Sequence, residues 1–447
     1  MKDLTKGSIL KGILLFVIPL LLGNFFQMFY TTVDALIVGK TIGAVAVGAI
    51  GATGSISSLI ISSGQGVTTG MSLLISRYFG AKDKRNVQRS FTIGLCFSVG
   101  ISIVLTSLGL IFINPLLLLM QTPSSIFDLS RTFLSTIFAG MIFTNLYNYL
   151  SASIRALGNS RISFVALIIA NVFNAAFSAL LVMHFHLGVL GAGLATVAAQ
   201  LVSVVFLVVY IVFKAKILSF HLVHFSRTDI KAHLRIGLPM GLQASVISLG
   251  SIIQQVALNK MGTVVIIAQT IGQKYYGFAG MVTSSLGIAM ATFAAQNLGA
   301  GAYSRIEKGM KQALALAIGY SVIFTSVLLI FNRAFTGLFL NAQSNPEIYH
   351  VAMQYYISTG SLYWLLGVLF VTRYMLQGLG DIKAPTLAGT MELVFRTIFA
   401  IIGVMLQNVW IVFISESVAW IGSTAVLIPA TRRMIKNFER LKNSNFI

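Results

Sequence analysis

The chain carries itself twice. Pro19 in the first apolar stretch returns as Pro239, and Lys40 at the end of that stretch returns as Lys260. Phe79-Gly80-Ala81, followed by Lys82, Lys84, Arg85 and Arg89, returns as Leu298-Gly299-Ala300, followed by Arg305, Lys308 and Lys311. Ala156-Leu157-Gly158-Asn159 before Arg161 returns as Gly378-Leu379-Gly380-Asp381 before Lys383. The spacing holds at about 220 residues, so the chain is two related halves joined near its middle. Paired repeats with a site between them are how many secondary transporters build alternating access.

The solvent of these halves is the bilayer. Hydrophobic residues make up 56% of the chain and charged residues only 9%, against roughly 25% charged in a soluble domain. The formal charge of +20 would point to nucleic acid in a soluble protein. Here the basic residues sit in short clusters between apolar runs, so no nucleic-acid partner is expected. Cys96 is the only cysteine, which excludes disulfides within the chain and argues against thiolate metal sites. The first apolar run is too long for a signal peptide and carries Asn24, Gln27 and Asp34, so it reads as a retained helix.

Stretches of about 20 apolar residues, long enough to span, can be placed twelve times. Their cores are 13–37, 47–75, 90–113, 129–153, 162–183 and 189–213, then 236–258, 264–295, 311–332, 350–376, 385–406 and 409–430. The expected fold is an all-α membrane protein of twelve transmembrane helices in two six-helix lobes. Six spans per half is an even number, so both halves enter from the same side. A pseudo-two-fold axis along the membrane normal then relates them. Most of the 31 Lys and Arg fall at the termini or in even-numbered connections, which places those and both termini in the cytoplasm. The expected division is a lobe over 1–213, a basic cytoplasmic linker over 214–235, and a second lobe with a short tail over 236–447. Lys214, Lys216, Arg227, Lys231 and Arg235 make the linker basic. Phe220, Leu222, Phe225, Ile230 and Leu234 suit the lipid surface.

An ionisable group kept at the bilayer centre costs roughly 2.5–3.5 kcal/mol on insertion scales, so each one asks for a reason. Asp34 shares its helix with Asn24, Gln27, Tyr30 and Thr31. Gln27, Thr31 and Asp34 fall at i, i+4, i+7, one polar stripe that favours a hydrated cavity over a snorkelling aspartate. Glu392 and Arg396 are four apart on the eleventh span and should pair, either as a structural fixture or in transport. Lys274, beside Tyr275, should either reach Glu392 or line the cavity. Glu416, near the outer end of the last span, reads as interfacial. Pro19 and Pro239 should break helices one and seven at matching places, which suits a rocking carrier. Gly39-Lys40-Thr41 only mimics a phosphate loop, since the first glycine of that pattern is replaced by Asp34. No histidine pair has a carboxylate beside it, and no nucleophilic constellation stands out, so no enzyme is expected.

These residues resemble the multidrug and toxic compound extrusion (MATE) family of cation-coupled exporters. The likeness rests on Pro19 followed by Asn24, Gln27, Tyr30, Asp34 and Val38-Gly39, and on Gly80-Ala81 and Gln296-Asn297-Leu298-Gly299-Ala300. Arg155-Ala156-Leu157-Gly158-Asn159 and Gln377-Gly378-Leu379-Gly380-Asp381 with Pro385 complete it. Glu392, Arg396 and the Pro239–Gln243 start of helix seven look most like the Gram-positive, DinF-like branch. The resemblance implies two six-helix lobes with a central cavity, and antiport of drug against H+ or Na+ with no cofactor. It implies a cation site at Asp34 that continues with Asn174 on the fifth span, but the family's second aspartate reads Ser178 here. Thr196 and Gln200 on the sixth span are the expected polar neighbours, and Na+ is the only metal the site would take.

Expected partners are therefore small, amphipathic, often cationic organic compounds and the lipid bilayer of a bacterial plasma membrane. The chain is expected to act as a monomer. Its substrate cavity would draw on Gln27, Tyr30, Thr31, Lys274, Tyr275, Glu392 and Arg396. The alternative is a lipid-linked sugar flippase or polysaccharide exporter of the same superfamily. Its phosphates would need several arginines, and only Lys274 and Arg396 look available.

Overall fold

The computed structural model describes residues 3–120, 122–220, 225–339 and 346–444, with backbone only for 30–36, 44 and 442–444. Its elements are α1 (Ile9–Thr41), α2 (Ala44–Gly80), α3 (Lys84–Leu119), α4 (Ser124–Ala139), α5 (Met141–Ala156), α6 (Ser160–Ser178) and α7 (Gly188–Phe213). There follow α8 (Arg227–Lys260), α9 (Thr263–Gly299), α10 (Tyr303–Ile330), α11 (Asn332–Gly337), α12 (Pro346–Tyr355), α13 (Tyr363–Gly378), α14 (Lys383–Met405) and α15 (Val409–Ser444). Among the described residues, ten helices are long and apolar enough to cross a membrane, and two bent pairs complete the expected twelve.

The bends fall at matching places in the two halves. α4 and α5 meet at Gly140 with a 47° bend, and the span from Pro346 to Gly378 bends by 41° after a π-helical turn at Tyr356–Gly360. Helices one and seven were the expected places for a break. α1 and α8 instead run unbroken through Pro19 and Pro239. A helix can continue past a proline when only one backbone bond is lost, with or without a bend.

The matching turns of the repeat have a local cause. Gly158 and Gly380 take positive φ of 78° and 82°, where a side chain would be strained. The next residue then caps the following helix: Asn159 Oδ1 accepts from Ile162 N, and Asp381 Oδ1 accepts from Ala384 N.

Two compact units result. One holds residues 1–4 and 15–245, the other residues 5–14 and 246–447. Each half's first helix is divided between the units: α1 starts in the second and continues in the first, and α8 starts in the first and ends in the second. The first unit packs Val67, Met71 and Ile75 of α2 against Phe91 of α3, Tyr149 of α5 and Leu207 of α7. Tyr149 Oη donates to Phe91 O at 2.7 Å, so even this buried hydroxyl is satisfied. Glycines let the helices meet closely, as expected where lipid removes the hydrophobic drive between them.

Candidate functional site

In the first unit, a polar cluster sits where α6 gives way to a π-helical segment, Ala179–His184. Such bulges recur at functional sites. Asn174 and Ser178 lie one turn apart on α6 and are 3% and 0% exposed. Thr196 and Gln200 lie one turn apart on α7, which packs on α6. Asn174 Nδ2 donates to Thr196 Oγ1 at 3.2 Å. Two amide oxygens, Asn174 Oδ1 and Gln200 Oε1, are buried without a hydrogen-bond partner among the described residues. A buried carbonyl without a donor is costly, so such oxygens mark a place where a cation or water is wanted.

Asp34 belongs to α1, but its side chain lies outside the described residues, as do those of Tyr30 and Thr31. The neighbours of its helix are described on either side of it. Val38 is buried in one cluster with Val182 and Ala192. Lower down, Phe26 packs on Phe164 with ring centroids 6.1 Å apart, and Gly23 abuts Leu167. α1 thus runs alongside α6 in the same direction. Asp34 stands one turn before Val38, as Ser178 stands one turn before Val182. Gln27 is exposed on the same helix.

The second unit holds a buried charge cluster. Glu392 and Arg396 do pair, at 3.5 Å. The stronger partner is Arg373 of α13, whose Nη2 lies 2.6 Å from Glu392 Oε2 and 2.7 Å from Ser423 Oγ. Arg396 Nη1 also donates to Ser251 Oγ at 3.1 Å. All three charged residues are at most 6% exposed. Sequence reasoning misses Arg373, which is 19 residues from Glu392 on another span.

Three expectations for this unit are corrected. Glu416 is not interfacial: it is 3% exposed and accepts from Tyr355 Oη at 3.3 Å. A hydroxyl donor and the nearby Arg396 make its depth tolerable. Lys274 does not meet Glu392, whose two oxygens are taken by arginines; it is exposed on α9. Tyr275 packs inward, 6% exposed, because Phe335 O accepts its hydroxyl at 2.7 Å. No group of three or more His, Cys, Asp or Glu that could hold a metal ion occurs among the described residues.

The sequence profile of the MatE family matches residues 19–180 and 239–402, one match in each half. The chain belongs to the MatE family. Among curated members, "Probable multidrug resistance protein YoeA" of Bacillus subtilis is 28% identical, over 90% of this chain and 86% of that protein. "Probable multidrug resistance protein YpnP" of the same organism is 26% identical, over 85% and 84%. "Multidrug export protein MepA" of Staphylococcus aureus is 21% identical, over 94% of both chains. An outward-facing multidrug resistance MATE family transporter of the MOP superfamily superposes with a TM-score of 0.89 at 20% identity, over 98% of both chains. That likeness shows the MATE fold for this chain, an all-α membrane architecture, and agrees with the repeat and span count read from the residues.

Proposed function

We propose that this MatE-family chain is a secondary antiporter that exports amphipathic, often cationic, organic compounds in exchange for a cation bound at Asp34. The observation that carries the reading is the register of α1 on α6. Val38 and Val182 share one buried cluster, one turn beyond Asp34 and Ser178 respectively, and Asn174 Oδ1 and Gln200 Oε1 have no donor among the described residues, which supports a cation site there. Asp34 would supply the charge, and Asn174, Ser178, Thr196 and Gln200 the neutral oxygens that a hard cation prefers. Cation binding neutralises the carboxylate in one state. Its release in the other returns a charge that favours the opposite conformation, so the two fluxes are linked.

The coupling ion is H+ or Na+. Sodium would use the two orphaned oxygens, whereas a proton on Asp34 would leave them unfilled. The names of the relatives support drugs as substrates. The flippase alternative loses ground, because Arg373 and Arg396 are buried against Glu392 and are not free for phosphates. We place both termini in the cytoplasm of a bacterial cell, with the monomer as the working unit. The test is efflux of a dye panel by everted vesicles, with sodium and proton gradients imposed separately. One gradient alone should drive uptake, and its ionophore should abolish it. Uptake under neither gradient overturns the reading.

A further inference from the structure

We propose that the exposed face of the first half of α8 is a binding site for one anionic phospholipid. Arg227, Lys231 and Arg235 would hold its phosphate, and an acyl chain would lie along Leu234, Leu238 and Leu242.

The rotation of α8 is set by its other side. Asp229 pairs with Arg89 of α3 and accepts from Ser226, so its charge is turned inward and used. One turn on, His233 is 2% exposed, with Nδ1 2.8 Å from Asp229 O and Nε2 3.3 Å from Ser90 O, and its ring stacks on Phe97. Two further turns bring Gly237 and Gly241 against Val67 of α2. This inward stripe leaves a fixed outward one.

On the outward stripe, positions four apart advance by about 40° around a helix. Residues 227, 231, 234, 235, 238 and 242 consequently share an arc of roughly 100°, one face. Arg227, Lys231 and Arg235 are all exposed, and none forms an ion pair among the described residues. With Ile230 and Leu234 they line a hollow of about 450 Å³. Leu234, at the edge of the hollow, is 38% exposed, and past Arg235 the face continues with Leu238 and Leu242, 46% and 57% exposed. From Leu234 to Leu242 the helix rises about 12 Å, most of the roughly 15 Å of half a hydrocarbon core. Cations toward one end and this aliphatic run toward the other match the two ends of a phospholipid. The general excess of basic residues on inner loops explains the cations but not their alignment with this apolar run. The site is independent of the transport reading.

A basic residue beside an anionic membrane surface is worth about fivefold in affinity. The test is native mass spectrometry of the full chain in detergent, titrated with phosphatidylglycerol or phosphatidylcholine. We expect one phosphatidylglycerol to saturate the site well before phosphatidylcholine binds. Arg227→Gln with Lys231→Gln and Arg235→Gln should weaken it by about 100-fold, and Lys231→Gln alone by about fivefold. The control Lys82→Gln with Lys84→Gln and Arg85→Gln should leave it unchanged. Equal retention of both lipids overturns the site. So does equal loss in the control, which would mean bulk charge alone, or displacement by inorganic phosphate, which would mean that no acyl chain is held.

Discussion

Arg373 Nη2 lies 2.6 Å from Glu392 Oε2, with both side chains buried inside the second unit. Glu392 thus answers two arginines, and Glu416 is the remaining buried acid near them. Removing the shared carboxylate strands two cations in low dielectric, a loss of about 3–5 kcal/mol. Glu392→Gln should therefore lower the melting temperature in detergent sharply. Adding Arg373→Gln should restore part of the loss, because the paired charges are then removed together. A single Glu392→Gln variant as stable as the parent would contradict a structural role for the pair.

Gly66 tests the close approach of α2 to α8. A Cβ built there stands 2.6 Å from Met240 O, a backbone atom that cannot step aside as a side chain would. Gly66→Ala should cost about 1–3 kcal/mol by overpacking, whereas Gly48→Ala, with open space around it, should be neutral by comparison. Thermal unfolding of the two variants side by side checks the difference.

Asp83 caps α3 from the loop before it, its Oδ1 accepting from Asn86 N at 3.0 Å. The Asn86 backbone N–H, then the Asn86 side chain, hold its carboxyl below the usual carboxylate range. A depressed folded pKa gives stability that is present above the unfolded value of about 3.9. That stability is lost as pH falls through the folded value. Asp83→Ala should cost about 1 kcal/mol at neutral pH. The gap from the parent should close as the pH is taken below about 4, as unfolding in mild detergent across pH will measure.

The spans and the repeat were legible because bilayer thickness and backbone satisfaction leave a sequence few options. The i, i+4 pairing of Glu392 with Arg396 was legible for the same reason, since one helix fixes it. Arg373 was not, because nothing local links it to Glu392, 19 residues away on another span. Glu416 looked interfacial from its place near a span end. Its depth follows from Tyr355, 61 residues away. Pro19 and Pro239 drew attention as breakers, yet both lie inside continuous helices, and the breaks with bends fall at Gly140 and at Tyr356–Gly360.

The orientation rests on the basic connections. In a Cys96→Ser background, a cysteine at His186 should react with an impermeant maleimide on intact cells. A cysteine at Lys84 should react only after permeabilisation. Labelling of Lys84 from outside would reverse the topology.

Asp34→Asn is the most direct test of the coupling site. It keeps the shape and hydrogen bonding of the side chain but removes the charge that a cation must neutralise. Everted vesicles carrying parent or variant, matched for inserted protein, should be energised with the effective gradient and assayed for dye accumulation. The parent should concentrate dye, and the variant should bind dye yet fail to accumulate it. Accumulation by Asp34→Asn vesicles at the parent rate would place the coupling site elsewhere, with Glu392 and Glu416 of the second unit the next acids to replace.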